Sequence, residues 1–402
     1  MRIQNRWIIL AASVVANLCI GSVYSWSVFQ KPLIDLFGFT TSEASLAYTI
    51  SLCITPFSII LSGKMQAFKG VRFTLALGGI IFGAGLFFTG FTSGLASLYL
   101  LYGIFTGIGL GAVYGCVVPN TVKWFPDKRG LAGGVIAGGL GLGSVLFAPL
   151  SAHLIDIMGV LATFRVLGIT YLIVIVVVSL FVTSPPENYK PKGWNPVTLA
   201  SAAGAINLRA GEMIKKSKFW ILWIMYTIGC ISGLMIIGHA SPIGQEQALI
   251  TPEVAAGAVA LLAVANTAGR LFWGMVSDRL GRYNTLILMY ILTGAMLLLL
   301  SNADSYLLLV ISLMGVGLSF GGFMGVFPSI TADNFGPQHL GVNYGVMFTA
   351  FGLAAFIGPR LAAGMRESTG DYSMAFVIAS CMSIAGIILT LYMRYTSKKR
   401  VL

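Results

Sequence analysis

The sequence predicts an all-α membrane protein with twelve transmembrane helices in two six-helix halves. Three observations predict it. Of the 402 residues, 57% are apolar and 9% charged, against roughly 25% charged in a soluble domain, so no water-facing surface can be built. Apolar runs at 7–29, 43–63, 73–93, 95–122, 130–152, 160–183, 219–241, 253–276, 284–302, 305–332, 341–364 and 373–393 each approach the ~20 residues that cross a bilayer. Two sequence landmarks also recur at one interval. GKMQAFKGVR at 63–72 after span two is answered by GMVSDRLGRY at 274–283 after span eight, an offset of 211, and Phe125 and Phe335 in the loops after spans four and ten are 210 apart. Nearly one period from two landmarks is the mark of a duplicated six-helix unit.

Span one follows Arg2 and Arg6 and resembles a signal peptide, but at about 23 apolar residues with no small-residue cleavage site it reads as a membrane span. In spans four and five, GIGLG at 107–111 and GLGLG at 139–143 mimic a dinucleotide loop. Neither follows a strand, so the expected role is close helix packing. The one long polar stretch, 184–218, carries Pro185, Pro186, Pro191, Pro196 and six Lys or Arg, and reads as the linker between an N-terminal bundle, 1–183, and a C-terminal bundle, 219–402. Span eight opens on Thr251, Pro252 and Glu253, a cap residue, a first-turn proline and a first-turn carboxylate.

The net charge of +12 would suggest nucleic acid in a soluble chain. Here 20 of the 25 Lys and Arg fall in segments on the side of the N-terminus, which puts both termini in the cytoplasm by the positive-inside rule and makes the lipid bilayer, not nucleic acid, the partner. The five cysteines lie within spans with no paired spacing, so neither disulfide nor metal is inferred.

Arg270 and Arg360 are left within helices. From Pro252, Arg270 lies ~27 Å along span eight. An arginine in an apolar span costs on the order of 2.5–3.5 kcal/mol and usually faces a cavity, with snorkelling to the interface as the plainer alternative. Asn266, one turn earlier on the same face, argues for the cavity. All 13 Asp and Glu fall in loops or at helix ends, so a bound anion is the expected partner of Arg270. His239, near the outer end of span seven, is a candidate proton site, or a solvated helix-end histidine.

The loop pattern Gly274, Asp278, Arg279, Gly281 and Arg282 resembles the gating signature of the major facilitator superfamily, with Ala67 standing where the first-half copy has its aspartate. Within that superfamily, YSWS at 24–27, WFPDKRGLA at 124–132, Phe219-Trp220 and Asn343-Tyr344-Gly345 resemble the oxalate/formate antiporter and monocarboxylate transporter group over essentially the whole chain. The resemblance implies the major facilitator fold and transport of small organic anions, with Arg270 holding the substrate carboxylate. A guanidinium suits that task because it stays charged and binds a carboxylate through two parallel bonds. It places Tyr114 on the substrate cavity and Tyr24 in the matching stretch of span one, each also readable as a packing tyrosine. Oxalate exchangers carry a lysine at the position of Phe351 and more polar or bulkier side chains at Phe320, Met324 and Leu140. One cation and an enlarged apolar wall suit one carboxylate with a short tail. Phe348 and Phe351 share a face of span eleven and read as an apolar lid or as plain packing. Eukaryotic monocarboxylate transporters have an aspartate where this chain has Asn266, and a lysine on span one that is missing here, which puts their proton-coupling scheme in doubt.

The expected function is secondary active transport of a small monocarboxylate, lactate- or pyruvate-like, coupled to protons and working by alternating access around a midplane site between the halves. An oxalate/formate-type exchanger using a counter-anion is the rival, and drug efflux a third reading that Arg270 opposes by repelling lipophilic cations. No enzyme is expected, because no embedded His, Asp or Glu cluster is present, and no cofactor is implied. The short termini suit a multi-pass protein of a bacterial inner membrane, expected as a monomer.

Overall fold

A backbone that crosses hydrocarbon must pair its polar groups internally, and the regular structure of the described residues is helical throughout. The computed structural model describes residues 5–186, 189–191, 207–247 and 250–398. Arg2, Lys192, Lys399 and Arg400, counted among the cytoplasmic cations, lie outside them.

The helices are α1 (Arg6–Gly21), α2 (Trp26–Phe37), α3 (Thr41–Thr89), α4 (Leu95–Leu98), α5 (Gly107–Trp124), α6 (Arg129–Met158) and α7 (Val160–Ser179). They continue with α8 (Ala210–Met213), α9 (Ser217–Gln247), α10 (Pro252–Leu280), α11 (Arg282–Leu300), α12 (Tyr306–Phe335), α13 (Leu340–Thr369) and α14 (Ser373–Lys398). Among the described residues, eleven helical runs are long and apolar enough to cross a membrane. One of them, α3, holds both predicted spans two and three in 49 residues. Gly70 alone leaves the helix, at φ 81° and ψ 170°, a backbone state that costs a side-chain-bearing residue far more than glycine. Counting α3 on both sides of Gly70 yields the twelve expected crossings.

Two spans are interrupted. The first changes to a 3₁₀ turn over Ser22–Ser25, where Ser22 Oγ donates to the Cys19 carbonyl at 2.7 Å. The fourth contains a π-helical segment, Tyr99–Thr106, where Thr106 Oγ1 donates five residues back to Leu101 O at 3.2 Å. Such departures from α geometry concentrate at functional sites.

The chain forms two compact units. The first comprises Met1–Asp127, Gly139–Ala210 and Thr331–Phe348. In it, Gly107, Gly111 and Gly115 of α5 line up against Ser51, Thr55 and Ser62 of α3, so closely that a Cβ at Gly107 would stand 2.7 Å from the Ser51 carbonyl. Ser58 Oγ donates to the Ile108 carbonyl across the same seam at 2.5 Å, a bond worth about 0.6 kcal/mol between membrane helices. Gly143 packs in the same manner on the α1 backbone, as expected for both glycine runs.

The second unit comprises Lys128–Gly138, Gly211–Ile330 and Thr349–Leu402. Its core includes Met235, Leu262, Leu297, Leu313 and Phe376. Tyr226 stacks on Phe327 at 4.0 Å, and Tyr290 satisfies its hydroxyl on the Met225 carbonyl at 2.5 Å.

Candidate functional site

Helix α10 begins at Pro252, just after the extended Thr251, and ends before Gly281, where φ reaches 85°. These signals set the register that carries Asn266, Arg270, Gly274 and Asp278 at intervals of four, along one side of the helix. Glycines of two neighbouring helices meet that side. A Cβ on Gly134 of α6 would collide with the Arg270 carbonyl, and one on Gly321 of α12 with the Asn266 carbonyl, while one on Gly325 would stand 2.8 Å from the Arg270 carbonyl.

Arg270 is 2% exposed. Its Nη1 donates to the Ala137 carbonyl of α6, and its Nε is buried with no hydrogen-bond partner, as is Asn266 Oδ1. Among the described residues, no carboxylate forms a salt bridge with Arg270. A buried guanidinium held by a carbonyl dipole alone retains donors for an anion, and a full negative charge binds it more strongly than a carbonyl does.

Eight residues further on, Asp278 closes the contact between α10 and α6. Its Oδ1 accepts from the Gly130 N–H at 2.8 Å and its Oδ2 from the Leu131 N–H at 2.8 Å. Arg282 Nη1 donates to the same Oδ1 at 2.7 Å and to Ser277 Oγ at 2.6 Å. A carboxylate on the first free amides of a helix both caps it and meets the positive end of its dipole. Gly274 lies against Gly130, Gly281 ends the helix, and Arg279 is exposed in its last turn. Asp278→Ala should therefore lower stability by about 1–3 kcal/mol, read as a drop in the thermal unfolding midpoint of the purified protein; an unchanged midpoint would show that these bonds hold nothing.

In the first unit Tyr114, fully buried, forms an aromatic triangle with Phe348 at 5.7 Å and Tyr344 at 6.5 Å, and Tyr344 and Phe348 stand 5.7 Å apart. Tyr344, noticed in the sequence only as part of a motif, is thus a member of this group. Its spacing of four from Phe348 was the available signal. Tyr24 sits on the 3₁₀ turn of span one. In the second unit Phe320 packs its ring on Gly233 of α9, and Phe351 is buried. His239 contacts the Met235 carbonyl through Nδ1 at 3.2 Å, with its ring 5.7 Å from Tyr372. Arg366 lies over Tyr372 at 5.6 Å and pairs with Glu246 through two bonds of 2.9 and 2.5 Å.

The profile of the Major Facilitator Superfamily matches residues 7–249 and 237–401. The chain belongs to that superfamily. This facilitator is 30% identical over 391 residues to the oxalate:formate antiporter of Oxalobacter formigenes, covering 96% of this chain and 91% of that one. It is 22% identical over 396 residues to monocarboxylate transporter 12 of Xenopus laevis, covering 93% and 85%. Its fold matches the crystal structure of the facilitator FucP in the outward conformation with a TM-score of 0.73 at 13% identity, covering 96% of this chain and 99% of that one. The facilitator is accordingly a multi-pass membrane protein of the group that includes oxalate:formate and monocarboxylate carriers, with the all-α, twelve-helix, two-half fold expected from its sequence.

Proposed function

We propose that this chain carries small monocarboxylates such as lactate or pyruvate together with a proton, by alternating access in the cell membrane, as a monomer with both termini in the cytoplasm. The observation that carries the proposal is the state of Arg270: buried to 2% exposure, held on a backbone carbonyl, with an unpartnered Nε beside it. The substrate carboxylate takes the place of the Ala137 carbonyl on the guanidinium, and Asn266 supports it. Phe320 and Phe351, both 4% exposed, with Met324, supply the apolar character that suits a short organic tail. Tyr114, Tyr24 and Phe348 complete the expected set.

Anion exchange is the second reading, favoured by the 30% identity to an oxalate:formate antiporter. Counterflow in proteoliposomes against lactate, pyruvate, formate and oxalate, followed by uptake under an imposed pH gradient, tests both. Lactate uptake driven by an inward proton gradient into anion-free vesicles is expected. Uptake only when the vesicles contain a second anion would replace symport by exchange, and no uptake of any of the four would overturn the proposed substrate class.

His239→Gln distinguishes the route of the proton. If the proton travels with the substrate, gradient-driven uptake persists; if it travels on His239, that uptake falls while counterflow at equal pH is retained. Equal loss of both activities would assign His239 to packing against Tyr372.

A further inference from the structure

The polar stretch that follows Thr183 is fastened where it rejoins the helices. The Leu208 N–H donates to the Phe335 carbonyl at 3.0 Å, and Asn343 Nδ2 of α13 donates to the Leu208 carbonyl at 2.8 Å. Asn207 Oδ1 accepts from the Gln338 N–H at 3.2 Å, and Lys123 Nζ donates to the Gln338 carbonyl at 3.1 Å. Residue 208 is therefore pinned through both of its backbone groups, one of them by a side chain that is fully buried.

The internal repeat shows what this turn lacks. Moving 211 residues along the chain takes Gly130 to Gly341, Gly63 to Gly274 and Ala67 to Asp278. The start of α13 meets Gly63 as the start of α6 meets Gly274. Asp278 holds the first amides of α6, but its counterpart is a methyl group. Helix α13 has inherited the close glycine contact without the carboxylate that secures it.

We propose that Asn207 and Leu208 form a strap that substitutes for the missing carboxylate: they fix the turn before α13 and thereby position Tyr344 and Phe348 beside Tyr114. They are positioning residues, not ligands of the substrate. The two half-repeats are then held by different means, α6 by an ion on a membrane helix and α13 by a neutral amide on the connecting segment. A neutral acceptor binds an amide less strongly than a carboxylate does, so the start of α13 is the more readily released of the two.

Hydrogen–deuterium exchange of the purified full-length protein tests this, on peptides covering 336–343. Asn207→Ala should speed exchange there by about five- to tenfold, the size of one lost capping bond. Adding Ala67→Asp should restore it to within about twofold of wild type, and Asn207→Asp alone should slow it below wild type. Labelled lactate counterflow should fall in Asn207→Ala and return in the double variant; this part rests on the function proposed above, whereas the exchange result does not. Unchanged exchange in Asn207→Ala overturns the strap. So does failure of both carboxylate variants to restore protection, and if Ala67→Asp does not insert, Asn207→Asp decides alone. Faster exchange with unchanged counterflow overturns the positioning role.

Discussion

Arg270→Gln is expected to abolish carboxylate transport while the protein still inserts and folds. Removing one partner of a buried charged pair costs about 2–5 kcal/mol, or from roughly thirtyfold to a few thousandfold in affinity. Glutamine is the informative replacement because it is neutral yet polar, with an N–H donor in place of the guanidinium, so charge is lost without placing a purely apolar group at the site. Arg270→Lys keeps the charge but not the planar fork, and should retain part of the activity. The measurement is lactate counterflow normalised to reconstituted protein. Wild-type rates in a folded Arg270→Gln variant would remove the centre of the functional proposal.

Phe351→Lys should turn preference from monocarboxylate toward dicarboxylate. Phe351 is 4% exposed and belongs to the same compact unit as Arg270. With lactate bound, a lysine there leaves an ammonium unpaired in a low-dielectric setting, unless it sheds its proton or water enters. Oxalate supplies a second carboxylate for it. A hydrogen bond to a charged group is worth about 1.5–3 kcal/mol, so the ratio of oxalate to lactate transport should rise by about tenfold or more even if the overall rate falls. The gain arises as much from the penalty against lactate as from attraction to oxalate. Competition of unlabelled oxalate against labelled lactate gives the ratio directly. An unchanged ratio in an active variant would show that Phe351 does not face the substrate.

The features legible in the sequence are those written in side chains at regular spacing. Apolar run length marked the helices, the recurring loop marked the duplication, and the glycine runs marked helix faces that come into close contact, as Gly107 and Gly111 do on α3. Arg270 drew notice because an arginine has no cheap place in hydrocarbon. The atom that holds it did not: Ala137 acts through its carbonyl, which every residue possesses. Asn207 was hidden for a related reason, since its partner lies 131 residues away in a stretch without periodicity. The π-helical segment Tyr99–Thr106 carries no proline, and its single glycine, Gly103, is one of many in the spans, so no local signal marked it. Gly70 lies in the 63–72 landmark, at the position that Gly281 holds in the second copy, but the loop's residues do not say that its neighbours on both sides are helical.

The paired glycine contacts also say something about ancestry. Gly63 meets Gly341, and Gly130 meets Gly274; subtract the offset of 211 from the later member of each pair and both become the single contact between positions 63 and 130. A contact in which position i of one copy meets j of the other, and j meets i, is that of a symmetric homodimer. A six-helix ancestor pairing with itself would make both contacts with one set of residues. In such a dimer, positions 67 and 278 would share one codon, and an aspartate could be lost only from both sites at once. In a single chain the two positions are encoded separately and can differ, as Ala67 and Asp278 do.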